Sequence, residues 1–463
     1  MQVVLTDVAL PEFGTSAEQP DIPAATYAAR LDSFLQRSRN AGLDAVVVYA
    51  DREHFANLSY LTGFDPRFEE ALLVLKPKHD PILLVGPENR GFAGTAKVPL
   101  DVRLYPPFGL LGQDRSKTPP LAQLLADTGL SRSMRVGIVG WKYYLPEETS
   151  NAEAWSEAPS FIVDTIRGLV GSSGSVINAN PLLMHPTTGM RAVNDIDQIA
   201  AFEFAAVHTS EAVKRVLFGV RAGMREFEAA SLLAPIGLPL SCHSMLAAGP
   251  RAAFGLGSPG SRVMQRGEPF TVAYGVWGAL NCRAGWLVTD ESELPDGTRD
   301  YIAKLVAPYF LAVAEWYEAI GIGVSGGEID AIVRRRLGDP FYGMFLPPGH
   351  LIHLDEWLNT PIYPGSGERF LSGHAVQADI IPATGSPYFT SNMEDGIALL
   401  DEAGRAALAE KYPAAWDRIT ARRAFMSDII GIRLRPETLP LGNIQAFLPP
   451  FILAPGRAMA LRR

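Results

Sequence analysis

The residues best suited to chemistry fall late in the chain. The segment Pro348-Gly349-His350-Leu351-Ile352-His353-Leu354-Asp355-Glu356-Trp357 joins a Gly-His pair to alternating apolar residues and an acidic end. Imidazole gains and loses its proton near neutral pH, so a His here could serve as general acid or base, or ligate a metal. His350 and His353 are three apart. In extended chain their side chains point to opposite faces, so only one can face a pocket. Asp379 ends the apolar run Ala375-Val376-Gln377-Ala378-Asp379, where a lone carboxylate is costly unless paired or bonded. Glu394 follows a turn into another apolar run. Gathered beside a His, these two carboxylates would form an acid–base cluster of the kind enzymes tune. The competing reading is an ion network that only braces strands. His353 and His374 read as structural or exposed.

Positioning such groups takes strands and helices, and the pattern supplies both. From Tyr27 a helical run places Leu31, Phe34 and Leu35 on one face and stops at Gly42. Strand-like runs follow at 44–50, 68–75, 80–86 and 135–140, which together imply an α/β domain. A turn-rich stretch at 178–190 closes it. The second half opens with a long amphipathic helix capped by Asn194 or Asp195, with Ile199, Phe202 and Val213 turned inward. Another helix, three strands, two helices and two final strands (374–383 and 392–401) follow. That order suggests a duplicated α+β half, although no repeated sequence motif accompanies it. The expected organisation is an N-terminal arm at 1–24, an α/β domain at 25–186 and an α+β domain at 187–463.

Bulk properties narrow the function classes. The 463 residues are 47% hydrophobic and 20% charged, enough for large cores in two or three domains. A net charge of −9, with basic residues scattered apart from Arg334-Arg335-Arg336 on the wet face of a helix, argues against nucleic acid as partner. No apolar run reaches the ~18 residues of a membrane span. The N-terminus lacks the basic start and long apolar centre of a signal peptide. Cys242 and Cys282 are too few for a disulfide scaffold. A cytoplasmic enzyme is the expectation.

With these motifs in view, the sequence resembles the creatinase / aminopeptidase P / prolidase / methionine aminopeptidase family over nearly its whole length. The segment 27–64 is similar to a creatinase-type N-terminal domain, and 190–213 to the helix opening the "pita-bread" catalytic domain. Gly267–Trp286 sits where the first two metal-binding aspartates belong, Pro347–Trp357 at the Gly-His motif, and 371–382 and 392–400 at the two Glu motifs. The resemblance implies an α/β creatinase-like domain followed by an α+β pita-bread domain, in a homodimer. The metallopeptidases of that family bind two ions with two Asp, one His and two Glu. Here the Asp positions fall on Ala273 and Ala284. His350 matches the His, Asp379 replaces the first Glu, and Glu394 matches the second. Three ligands cannot hold two ions, so no metal cofactor is expected; the alternative is one divalent ion.

Other positions take roles through the same resemblance. A substrate-contacting His is replaced by Trp357, the position on which creatinase, the metal-free member, depends. Arg67 falls where creatinase-like N-terminal domains reach into the partner subunit's site, and could grip a substrate carboxylate in a fork. Tyr274, with Trp277, would add aromatic surface near the lost metals. Cys282 points the same way as Ala284 and would line the pocket as a possible nucleophile beside His350. An unpaired Cys is more often a small buried hydrophobe. The implied activity is metal-independent hydrolysis of a C–N bond in a small, carboxylated substrate, with His350 as acid/base and Asp379 and Glu394 supporting it. Two alternatives stand beside it: a Xaa-Pro-type aminopeptidase with a one-ion site, and an inactive peptide- or protein-binding module like the histone-chaperone subunit resembling this family.

Overall fold

The computed structural model describes residues 2–463, which form two compact units: Ile22–Arg191, and residues 2–21 with Ala192–Arg463. The sequence places the boundary a few residues earlier, at 186/187. Asn178 and Asn180 hydrogen-bond within the first unit, which keeps the turn-rich stretch there.

A strand, β1 (Gln2–Asp7), opens the chain. The first unit then builds a six-stranded mixed sheet from β2 (Ala45–Ala50), β3 (Ala71–Leu75), β4 (Ile82–Val85), β5 (Asp101–Leu104), β6 (Arg135–Val139) and β7 (Ser175–Asn178). Its order is β5-β4-β3-β2-β6-β7. β2 and β3 are buried at every position, as continuous Val/Leu/Ala runs demand when both faces of a sheet are covered. One face packs Val47, Leu72 and Ile138 against Ile162 and Ile166 of the helix Ser160–Val170.

The second unit centres on a seven-stranded sheet. Its strands are β8 (Met245–Ala248), β9 (Pro269–Val276), β10 (Ala279–Trp286), β11 (His350–Leu351), β12 (Ala375–Asp379), β13 (Asn392–Leu399) and β14 (Thr438–Pro440). They run β11-β12-β13-β10-β9-β8, with β14 on β13. The helix Ile196–Gly219 starts at Asp195, whose carboxylate accepts from the Gln198 amide at 2.8 Å, and it buries Ile199, Phe202 and Val213. Two later helices, Ala307–Ala319 and Gly326–Leu337, complete the repeated helix–strand pattern. Arg335 and Arg336 pair with Glu315, and Arg334 with Asp330, so the basic run is spent on surface ion pairs.

Two expectations need correction. The arm at 1–24 is not wholly irregular: β1 pairs antiparallel with β15 (Arg457–Arg462), because Val3, Val4 and Leu5 find an apolar edge in Ala458–Leu461. The last strands expected from sequence are also not the end of the fold. Helices Glu402–Lys411 and Pro413–Ala424 follow, and residues 443–452 are almost wholly buried.

Candidate functional site

Strand register gathers the site. Across antiparallel neighbours, Met245 faces Ala273, Ala273 faces Cys282, Cys282 faces Glu394, and Glu394 faces Asp379. Directly opposed residues share a sheet face, so these five form one cross-strand row. His350 opposes Gln377, two residues from Asp379, and joins the same face. Gly349 makes that approach possible. Its φ is +132°, and a side-chain carbon there would lie 2.6 Å from the Gln377 carbonyl oxygen.

The functional groups converge. One donor atom each from His350, Asp379 and Glu394 lie within 4.8 Å of one another. His350 Nε2 is 3.9 Å from Asp379 Oδ2 and 3.2 Å from Glu356 Oε1, while its Nδ1 lies 3.2 Å from the Leu351 carbonyl. Glu356 went unrecognised in the sequence. It sits in the turn after β11, where its amide donates to the His353 carbonyl at 2.8 Å. The β9–β10 hairpin braces that turn: Trp277 and Gly278 both have positive φ, and a side chain at Gly278 would collide with the His353 carbonyl.

Burial and mutual charge set the proton states. Burial pulls the His350 imidazolium toward deprotonation, but Glu356 and then Asp379 outweigh it and hold the group up at about 9. Burial pushes Asp379 up to about 6, with His350 opposing and Glu356 adding. Glu394 is driven well above the usual carboxyl range by burial, then by Asp379 and Glu356. Near neutral pH the site therefore contains an imidazolium and a carboxyl pair that retains a proton.

The remaining predicted residues divide. Cys282 faces the site, but its thiol is pushed far up by burial and Glu394 and accepts from the Asn392 amide at 3.1 Å. It packs with Met245, Ala273 and Leu280, and a thiol held protonated in that apolar patch favours the small-hydrophobe reading over the nucleophile one. Cys242 packs on the same patch, its thiol pushed up to about 12 by burial and the nearby Glu356 and Glu394. Tyr274 is a correction too. Alternation along β9 sets it on the face opposite Ala273, so its hydroxyl does not enter the site. Trp357 stands 73% exposed, outside the cluster. Arg67 belongs to the first unit, its guanidinium 4.1 Å from the Phe55 ring centre and its Nε donating to the Arg52 carbonyl at 3.4 Å. His353 and His374 are fully buried. The first is edge-on to Phe202 at 5.4 Å, and burial draws the second down to about 4.

Residues 30–151 match the model of the creatinase/prolidase N-terminal domain. The chain superposes on prolidase from Thermococcus sibiricus with a TM-score of 0.63 at 18% identity, covering 81% of this chain and 95% of that one. For prolidase from Pyrococcus horikoshii OT3 the values are 0.61, 15%, 80% and 95%. The chain has the prolidase fold. Xaa-Pro dipeptidase from Bacillus anthracis shows the same prolidase-type architecture, with a TM-score of 0.57 at 17% identity over 82% of this chain and 96% of that one. No curated protein matches by sequence.

On this prolidase-type frame, the paired-ion set that the resemblance implies does not fit. Ala273 and Ala284 offer only methyl groups on the site face. A single cation does fit, because three donors already converge and His350 Nε2 and Asp379 Oδ1 are buried without hydrogen-bond partners.

Proposed function

We propose that this chain hydrolyses a C–N bond in a small molecule or short peptide. The observation that carries this reading is the convergence of His350, Asp379 and Glu394 on one sheet face, with Glu356 beside His350. The Asp379–Glu394 pair takes the proton from attacking water. His350, held as imidazolium, gives its proton to the leaving nitrogen, which makes a poor leaving group expellable. Glu356 orients His350 and maintains its charge. With a divalent ion held by His350, Asp379 and Glu394, His350 would be neutral, and the ion would supply Lewis-acid activation of the water and the scissile carbonyl in place of that proton.

The Xaa-Pro names of the structural neighbours favour a peptide substrate within this class, and the convergent donors favour the one-ion variant over the metal-free one. The same proposal places the chain in the cytoplasm as a homodimer. No helix among the described residues is long and apolar enough to cross a membrane. A thermal-shift screen of Xaa-Pro dipeptides and of N-acyl and N-amidino amino acids, followed by detection of released amine, tests the reading. Stabilisation by peptides with no turnover of any compound would instead make this a binding module.

Elemental analysis should find no more than one Mn, Co or Zn per chain, and two bound ions would refute the reading of Ala273 and Ala284. In protein without added metal, kcat/KM should follow a bell in pH. The acid limb should fall near 6, where the Asp379–Glu394 pair must give up a proton to act as base. The alkaline limb should fall near 9, as His350 loses the proton it must donate. A rate still rising above pH 9 would contradict the acid role of His350.

A further inference from the structure

Asn392 stands on the site face with one end of its side-chain amide tied and the other open. Across antiparallel strands, Ala247 opposes Thr271, Thr271 opposes Ala284, and Ala284 opposes Asn392. This row runs beside the one that carries Glu394. Asn392 and Glu394 are two residues apart on β13, so they share a face at about 7 Å of strand rise. Asn392 is 4% exposed. Its Nδ2 donates to the Cys282 sulfur at 3.1 Å, and its Oδ1 is buried with no hydrogen-bond partner. Buried carbonyl oxygens are nearly always paired, and the methyl groups of Ala247 and Ala284 cannot pair this one. The Thr271 hydroxyl faces the same sulfur. An open acceptor beside the catalytic carboxylates calls for a donor that arrives with the ligand.

The surroundings set the class of that donor. A neutral N–H needs one acceptor, and a single amide carbonyl supplies it. An ammonium brings three donors and a charge, and the row of Ala247, Thr271 and Ala284 offers it no counter-charge. Reach also fits a peptide amide. The nitrogen of the residue that owns a scissile carbonyl lies about 2.5 Å from the carbonyl carbon. Its hydrogen bond adds about 2.9 Å, so a chain held at Asn392 by that N–H brings its carbonyl toward Glu394. Cys282 gains a purpose that its packing does not explain. By accepting from the NH2 end of the amide, its sulfur leaves the carbonyl end as the one offered. We propose that Asn392 accepts the neutral amide N–H next to the scissile bond, that Cys282 positions it, and that the preferred substrates are N-acylated rather than free at the amino end. This inference rests on reading the face as the hydrolase site and names its substrate class.

The test is calorimetry on the full-length protein with three ligands that carry an uncleavable ketomethylene in place of a Gly-Pro bond. The amino end is an N-acetyl amide in the first, an acetate ester in the second and a free ammonium in the third. Wild type should bind the amide at least about 10-fold more tightly than either of the others, the scale of a hydrogen bond lost to a buried acceptor. Asn392→Ala should bind amide and ester alike. Cys282→Ala should narrow the gap between them, and Cys282→Ser, whose hydroxyl also accepts, should restore it. The wild-type comparison of amide with ester needs no variant and stands even if Asn392→Ala fails to fold. Equal affinity for amide and ester in wild type would overturn the proposal. So would tightest binding of the ammonium, an amide preference that survives Asn392→Ala, or no binding at all. Turnover of cleavable N-acyl and free dipeptides at equal kcat/KM would leave the hydrolase standing while removing this subsite. Amide-selective binding without turnover would do the reverse.

Discussion

Replacing His350 by alanine is expected to lower kcat by about 10²–10⁴-fold, the usual contribution of a positioned general acid or base, without unfolding the protein. The expectation follows from placement. His350 lies on the site face between Glu356 and Asp379, with its side chain 14% exposed and no role in the apolar core. His353, three residues on, has the opposite surroundings: it is fully buried and stands edge-on to Phe202 of the long helix. His353→Ala should therefore cost stability, about 1–3 kcal/mol for lost packing, with a much smaller change in kcat per folded molecule. Added imidazole should partly restore His350→Ala and leave His353→Ala unchanged. If both variants lost activity only in proportion to lost stability, His350 would be structural.

How much of this could be read beforehand depends on which physical signal each residue leaves. His350, Asp379 and Glu394 were legible because a titratable side chain inside an apolar run is costly and so conspicuous. The strand runs and the Asp195 cap were legible from periodicity and local bonding. Tyr274 was misassigned on nearness alone: it adjoins Ala273, the lost ligand position, and alternation turns it to the other face. Which face looks into the site is decided by the pairing of β9 with β8 and β10. Glu356 showed only as part of the acidic end of the Gly-His segment, and nothing singled it out as a site residue. A left-handed turn usually announces itself by Gly or Asn, and Leu354-Asp355-Glu356-Trp357 contains neither; the conformation is imposed by the hairpin tip from a distant part of the chain. The β1–β15 pair was hidden for a similar reason, since short apolar strands at the two ends of a sequence reveal nothing of each other.

The same blindness to register concealed the groups behind the site, and they carry the largest expected stability effect. Asp395 follows Glu394 on β13 and therefore faces away from the cluster, where it meets Arg283 of β10. Both side chains are fully buried. Arg283 Nη2 donates to both Asp395 oxygens at 2.9 and 3.0 Å, and the guanidinium also reaches the carbonyls of Phe447, Cys282 and Ile444. Asp395 further accepts from the Asn281 side chain at 2.8 Å and the Ala446 amide at 3.0 Å. Removing the carboxylate would leave a guanidinium buried without its counter-charge. Asp395→Ala is thus expected to lose about 3–5 kcal/mol, read as a lower urea midpoint at unchanged slope. Replacing both partners by apolar residues of similar volume, Arg283→Met with Asp395→Leu, should recover most of that loss, because it removes the desolvation cost together with the pair. Site geometry supplies a second readout. β10 and β13 carry Cys282 and Glu394 in direct opposition, so the recovered double variant should bind a Co(II) probe as wild type does if the ion pair only fastens the strands. A single Asp395→Ala change costing under about 1 kcal/mol would show that water reaches Arg283, and that this network does not hold the floor of the site.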